Sequence, residues 1–255
     1  MDSMCIVGYG VVGKATALAL GIKKHFDING DSNITLQEAS NCRYVFICLP
    51  TPTDQDGYQD VSAIVDIIQQ IDAYRAFPIY IIRSTVLPGT ADRIMDFNDM
   101  DRIISNPEFL SEDTASEDAV NPALIVIGGK NPQYLHEVAA IYAARFKALK
   151  PTLTDNVTAE LIKYAFNTFF ATKVVFANEI YDVAQKTGAN YETIKKLLML
   201  HPWGSKNHFQ VFHKGGRGAK GKCLPKDLSA FAASTGSRFF NTVKEINDGF
   251  SDGKI

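Results

Sequence analysis

The sequence predicts an α/β chain: a doubly wound parallel sheet wrapped by helices, followed by an all-helical segment. Two patterns predict it. Up to about residue 154, short β-branched apolar runs alternate with amphipathic stretches, the mark of strand–helix–strand units. From Asp155 onward only helical periodicity remains. The near-continuous apolar character of the runs suits strands covered on both faces.

In chain order, strands are expected at Met4–Gly8, Lys24–Ile28, Tyr44–Leu49, Ile79–Arg83, Arg102–Ser105 and Leu124–Gly128, with a strand or connector near Ala148–Leu153. Helices are expected at Val11–Leu20, Val61–Ala73, Thr90–Met95 and Pro132–Arg145. The crossover between Asp27 and Tyr44 is too short for a full helix and reads as trimmed. The second segment carries one long helix from Asp155 to about Lys186, then helices at Tyr191–Leu200, Pro225–Ala233 and Phe239–Phe250. This divides the chain into a domain over 1–154 and a helical domain over 155–255.

Composition narrows the function. With 46% hydrophobic and 21% charged residues in 255, the chain has an ordinary globular balance. A net charge of -2 argues against a protein built to hold nucleic acid or an anionic membrane. There is no signal-like start and no apolar run of membrane-spanning length, so a cytoplasmic protein is expected. Cys5, Cys42, Cys48 and Cys223 show neither metal-ligand spacing nor a disulfide pattern, and no metal is expected.

Three motifs carry chemistry. "VGYGVVG" sets Gly8, Gly10 and Gly13 in G-x-G-x-x-G spacing between the first strand and first helix. Gly8 permits a tight turn, Gly10 lets backbone approach a pyrophosphate, and Gly13 allows close helix–sheet packing. The helix start supplies N–H donors to the phosphates, which makes the sheet Rossmann-like. Asp27, ending the second apolar run, is placed for ribose hydroxyls and favours NAD over NADP. The expected contacts span Gly8, Tyr9, Gly10, Val11, Val12 and Gly13.

The second motif lies in "AELIKYAFNTFFA". Lys163 and Asn167, four apart, share a helix face and can hold a sugar hydroxyl or a developing oxyanion. A solvated Lys/Asn pair would look the same, and the helix's apolar side fits either a core or a homodimer surface.

The third motif is "GRGAKGKCLPKD". Pro225 suits the first turn of a helix, so Cys223 falls at its N-terminus, where the dipole and nearby Lys220, Lys222 and Lys226 favour thiolate. Cys223 is therefore a candidate nucleophile, and Asp227 can handle a proton or orient water. Between His201 and Lys226 there is no acidic residue but six cations, which implies a local anion site such as a diphosphate. A basic loop with an incidental thiol is the plainer alternative.

These motifs, with "FICLPTPTDQDG", "IIRSTVLPGT" and "SNPEFLSED", occur in the order and spacing of the UDP-glucose/GDP-mannose dehydrogenase family, which the chain resembles over nearly its whole length. The resemblance implies oxidation of a nucleotide sugar's primary alcohol to a carboxylate with two NAD, through a thiohemiacetal and thioester on Cys223. It implies that Lys163 and Asn167 stabilise oxyanions. Asp227 and Thr85 would organise protons through water, and Glu108 would assist thioester hydrolysis. Glu108, Phe109, Leu110 and Glu112 would line the sugar, Lys220 would lie near it, and Thr51, Thr85, Glu112 and Lys226 would touch NAD. From the length and apolar side of the helix over 155–186, a homodimer through it is expected.

Some positions depart from the family pattern. Lys220 stands where glycine is usual, Ala219 where an aromatic is common, and Leu124 where arginine is usual. The family's third, nucleotide-binding domain has no counterpart before Ile255, so a short form is expected. An NAD-binding regulatory homologue and a β-hydroxyacid dehydrogenase, which needs no cysteine, are the competing readings.

Overall fold

A computed structural model describes residues 3–111, 113–213 and 215–251. Among them the chain forms two compact units: 1–52 with 59–163, and 53–58 with 164–255. Their boundary falls inside one continuous helix, between Lys163 and Tyr164.

The first unit contains a seven-stranded sheet in the order β2-β1-β3-β4-β5-β6-β7. Its strands are β1 (Met4–Val7), β2 (Lys24–Phe26), β3 (Tyr44–Ile47), β4 (Ile79–Ile82), β5 (Ile103–Ser105), β6 (Val126–Gly129) and β7 (Thr152–Thr154). Each is a little shorter than, or shifted from, its sequence-based expectation. The apolar central strands were legible because both faces are covered: in "IYII" of β4, Ile79 and Ile81 enter one core while Tyr80 and Ile82 enter the other. The first core lies under α2 (Leu36–Ser40), α3 (Ser62–Asp72) and α4 (Thr90–Phe97); the second under α1 (Val11–Leu20) and α6 (Pro132–Arg145).

The sheet is parallel except at one pair, where β6 runs antiparallel to β5 with Ile104 opposite Gly129. The 106–125 connection does not cross back over the sheet. It stays at the edge where β5 ends, and its helix α5 (Ala115–Val120) packs Ala115 and Ala119 against Ala15 and Ala19 of α1. That route keeps Glu108–Leu110 at the C-terminal edge of the strands, where open α/β sheets bind ligands.

The crossover read as trimmed does hold a helix. The five-residue α2 starts with a capping box in which Thr35 and Glu38 satisfy each other's backbone N–H.

A buried carboxylate fastens the start of the long helix α7 (Asn156–Thr187) to this sheet. Glu160 accepts from the N–H groups of Gly89 (2.6 Å), Thr90 (3.2 Å) and Ala91 (2.9 Å) at the start of α4, and lies 3.0 Å from Ser105 Oγ. Burial pushes its pKa up to about 7, against the lowering effect of those donors. Of these partners only Ser105 Oγ can accept a proton from it. Because the folded-state pKa lies above the unfolded value, this stabilisation is full below pH 4.5 and lost as pH rises towards about 7. Glu160→Gln turns an NH2 group onto backbone donors whichever way it is flipped, and is expected to cost roughly 1–3 kcal/mol. Urea unfolding of both proteins at about pH 5 and about pH 7.5 checks this: the wild-type advantage should shrink at the higher pH.

The second unit is helical. It holds the rest of α7, α8 (Tyr191–Leu200), α9 (Leu224–Thr235) and α10 (Arg238–Ser251), plus the Thr53–Tyr58 loop, whose Gly57 lies against Ser229 and Ala233 of α9. Its core joins Ala171, Val174 and Val175 of α7 to Ala219, Leu228, Val243 and Phe250.

Candidate active site

The turn after β1 is built for a dinucleotide. Gly8 has φ +91°, and a Cβ there would stand 2.5 Å from the Cys48 carbonyl oxygen. A Cβ on Gly13 would stand 2.0 Å from the Gly8 carbonyl oxygen, so α1 can leave the sheet this tightly only without a side chain. Gly10, the N-cap of α1, has nothing within 4 Å of that position, leaving open space at the helix start. Val11 is exposed and Val12 half-buried.

Asp27 follows β2 directly. Its carboxylate accepts from Tyr9 N at 2.6 Å and Asn29 N at 2.9 Å. The Asn29 and Tyr9 bonds hold it below the usual carboxylate range, so it is an anion at neutral pH and repels a 2′-phosphate. The Tyr9 ring stacks on His25 at 3.7 Å. The turn lies at the switch point where strand order reverses between β1 and β3.

The loops after β3 and β4 are tied together at this edge. Thr51 Oγ1 donates to the Thr85 carbonyl at 2.8 Å, and Gln59 Nε2 donates to the same oxygen at 3.0 Å. Below them a buried Arg83 donates to Asn106 Oδ1 (2.7 Å) and to the Tyr142 hydroxyl (2.8 Å). Sequence reading missed Gln59, Arg83, Asn106 and Glu160, since their partners are distant in the chain.

Two of the expected site residues form a buried ion pair. Lys163 Nζ lies 2.9 Å from Glu108 Oε1, with side chains 5% and 9% exposed. Glu108 Oε2 also accepts from Leu110 N at 2.6 Å, and Lys163 sits over the Phe109 ring at 5.6 Å. Glu112 lies outside the described residues.

In the helical unit, Asn167 Nδ2 donates to Asp227 Oδ2 at 2.6 Å, and Lys226 Nζ pairs with Asp227 Oδ1 at 2.5 Å. Asp227 is buried and so is Asn167. Cys223 is the exposed N-cap of α9, which starts at Leu224, one residue earlier than expected, with Pro225 in the first turn. The preceding loop bends through Gly215, Gly218 and Gly221, all at positive φ. It is clamped from both sides. Arg217 bonds Asn178 and Asp182 of α7, while Asn247 of α10 accepts from Ala219 N at 2.6 Å. Ala219 fills core space, and the Lys220 chain folds over Gly216, whose Cβ position is 2.9 Å from Lys220 Cε.

No helix among the described residues is long and apolar enough to cross a membrane, and no group of three or more His, Cys, Asp or Glu there could hold a metal.

A glycine turn of this shape at the switch point of a largely parallel sheet defines a nicotinamide-dinucleotide-binding protein of the Rossmann class, here joined to a helical unit with a thiol at the N-terminus of its helix α9. The chain belongs to the UDP-glucose/GDP-mannose dehydrogenase family: residues 29–146 match its NAD binding domain and residues 157–249 its central domain. NAD is the cofactor of this chain, and the open space at Gly10 and the anionic Asp27 fit it.

The chain is 35% identical over 209 residues to a UDP-glucose 6-dehydrogenase of Rickettsia felis, covering 78% of this chain and 45% of the relative. It is 35% identical over 221 residues to the enzyme of that name from Rhizobium meliloti, covering 80% and 49%. It thus spans about half the length of the curated relatives it matches. A UDP-glucose dehydrogenase structure from Pyrobaculum islandicum superposes with a TM-score of 0.82 at 26% identity, over 97% of this chain and 68% of that one.

Proposed function

We propose that this protein oxidises the primary alcohol of a nucleotide sugar of the UDP-glucose type to the uronic acid, through a covalent adduct on Cys223. The observation that carries the reading is the network of buried Asn167 and Asp227 with half-buried Lys226, beginning one helical turn after an exposed thiol at a helix N-terminus. Asp227 is held by the Asn167 amide from α7 and by the ammonium of Lys226 beside it on α9, an arrangement that fits a group that orients water or relays a proton.

NAD supplies the hydride acceptor for both oxidations. The alcohol loses a hydride and a proton to become an aldehyde, and the Cys223 sulfur adds to that carbon. Lys163 and Asn167 donate to the oxygen as charge develops on it. Loss of a second hydride leaves a thioester, and water cleaves it to the acid and the thiol. Glu108, already bonded to Lys163, takes the proton of that water, while Asp227 and Thr85 hold water in line. Phe109, Leu110 and Lys220 contact the sugar, and Thr51, Thr85 and Lys226 contact NAD. Keeping the carbon on sulfur prevents loss of the aldehyde between the two steps.

Two homologous chains pair through α7. Support comes from Phe169, Phe176 and Val183, all exposed and seven residues apart on that helix, a seam a second helix can fill. Phe176→Glu is expected to convert a dimer into a monomer of 28.1 kDa, read by sedimentation equilibrium; a wild-type chain that is already monomeric rejects the pairing.

The experiment that tests the function is NADH formation over a panel of sugar nucleotides. A rise in absorbance with UDP-glucose or a close analogue supports it. Silence across the panel together with NAD-dependent thermal stabilisation points instead to a binding protein.

A further inference from the structure

Two thiols take no part in the site described above. Cys5 lies within β1, opposite Val45 of β3, and Cys42 stands between α2 and β3. Both are buried in the same core, at 0% and 2% exposure. Cys5 Sγ lies 3.9 Å from the carbonyl oxygen of Ala39, and Cys42 N donates to that same oxygen at 3.0 Å. Cys42 Sγ lies 3.7 Å from the Glu38 carbonyl oxygen, and Cys5, Ala39 and Cys42 belong to one buried cluster. The sulfurs are therefore neighbours around the last turn of a five-residue helix, although the chain separates them by the whole first strand–helix–strand unit.

The two are chemically unlike. The neighbouring Cys5 side chain pushes the Cys42 thiol down to about 7, with Lys24 helping and burial opposing. The Cys42 side chain and burial hold Cys5 well above the usual thiol range. Cys42 is thereby the more readily ionised of the two and Cys5 the less, which favours Cys42 as the attacking thiol and Cys5 as the resolving one.

We propose that Cys5 and Cys42 form an oxidative modification site, converted by a small peroxide into an intramolecular disulfide. Access favours a small oxidant: the pair is buried, but Asn41 and Arg43 on either side of Cys42 are exposed. The Cys42 sulfur attacks one peroxide oxygen, the O–O bond breaks, and hydroxide leaves to take up a proton as water. The resulting sulfenic acid is displaced by the Cys5 sulfur, which forms the S–S bond. The sulfenic oxygen leaves as a second water with the Cys5 proton. Each sulfur gives up one electron, and one hydrogen peroxide is reduced to two waters. The ring so closed contains both the Gly8–Gly13 turn and Asp27.

The test exposes the whole native protein to hydrogen peroxide, then denatures it in N-ethylmaleimide and digests it with trypsin. Cuts after Lys14, Lys24 and Arg43 release Met1–Lys14 and His25–Arg43, each with one cysteine. The expected result is a linked pair of these peptides, lost on treatment with dithiothreitol. In Cys5→Ser, which lacks the resolving thiol, dimedone should label Cys42 instead. The proposal is overturned if peroxide consumes Cys223 while Cys5 and Cys42 are both recovered as maleimide adducts. It is overturned equally if Cys42 takes no dimedone in Cys5→Ser.

Discussion

Cys223→Ala is expected to lower uronate formation from a sugar nucleotide at least about a thousandfold while leaving NAD affinity unchanged. The covalent adduct is the only stage at which the second hydride can leave a carbon that cannot diffuse away, so its loss should show as released aldehyde, trapped with an amine or hydrazide reagent. The split between an intact cofactor site and a lost second oxidation is what distinguishes this variant from a misfolded one. The side chain is exposed at a helix N-cap and is not part of the packed core, so alanine there should fold normally. Full activity in Cys223→Ala would place the chain with dehydrogenases that need no thiol.

The glycine turn offers the second large effect, because its positions are crowded by different things. At Gly10 a methyl group meets no protein atom within 4 Å, and the backbone there is extended at φ -75°. Gly10→Ala should leave the melting temperature of the apoprotein in place yet weaken NAD binding by about tenfold or more, roughly 1.4 kcal/mol, because the methyl occupies the room a pyrophosphate needs. Gly13→Ala should do the reverse damage. Its methyl would stand 2.0 Å from a backbone oxygen, so α1 must lift from β1 at a cost on the order of 3 kcal/mol. Calorimetric titration with NAD and thermal unfolding, run on both variants, separate the two outcomes. A Gly10→Ala protein that binds NAD as well as wild type would remove the pyrophosphate from this turn.

Much of the fold was legible because the strands are sandwiched. A run such as "YVFI" has to be apolar at every position when helices cover both faces, and nothing in a solvent-facing helix imitates that. The two helices that escaped, α2 and α5, are five and six residues long, too short to show a period. A Thr-x-x-Glu box at Thr35 did announce α2. The reversal of β6 could not be read locally. Strand direction follows from where a connection travels, and the path of 106–125 depends on alanines of α5 meeting alanines of α1.

The candidate site was legible residue by residue but not in its pairings. Local motifs exposed the glycines, Asp27, Lys163, Asn167, Cys223 and Asp227. That Lys163 pairs with Glu108, that Asn167 bonds Asp227, and that Glu160 caps α4 are tertiary facts with no local signature. The Cys5–Cys42 contact is of the same kind. Each thiol by itself reads as packing, and only the sheet brings them together.

The account's central claim is that one thiol carries a sugar carbon through two oxidations, and counting electrons tests it most directly. With a single limiting addition of UDP-glucose and excess NAD, the wild-type protein should yield two NADH for each uronate, with no free aldehyde. One NADH per sugar with aldehyde accumulating, or undiminished uronate formation in Cys223→Ala, would contradict it.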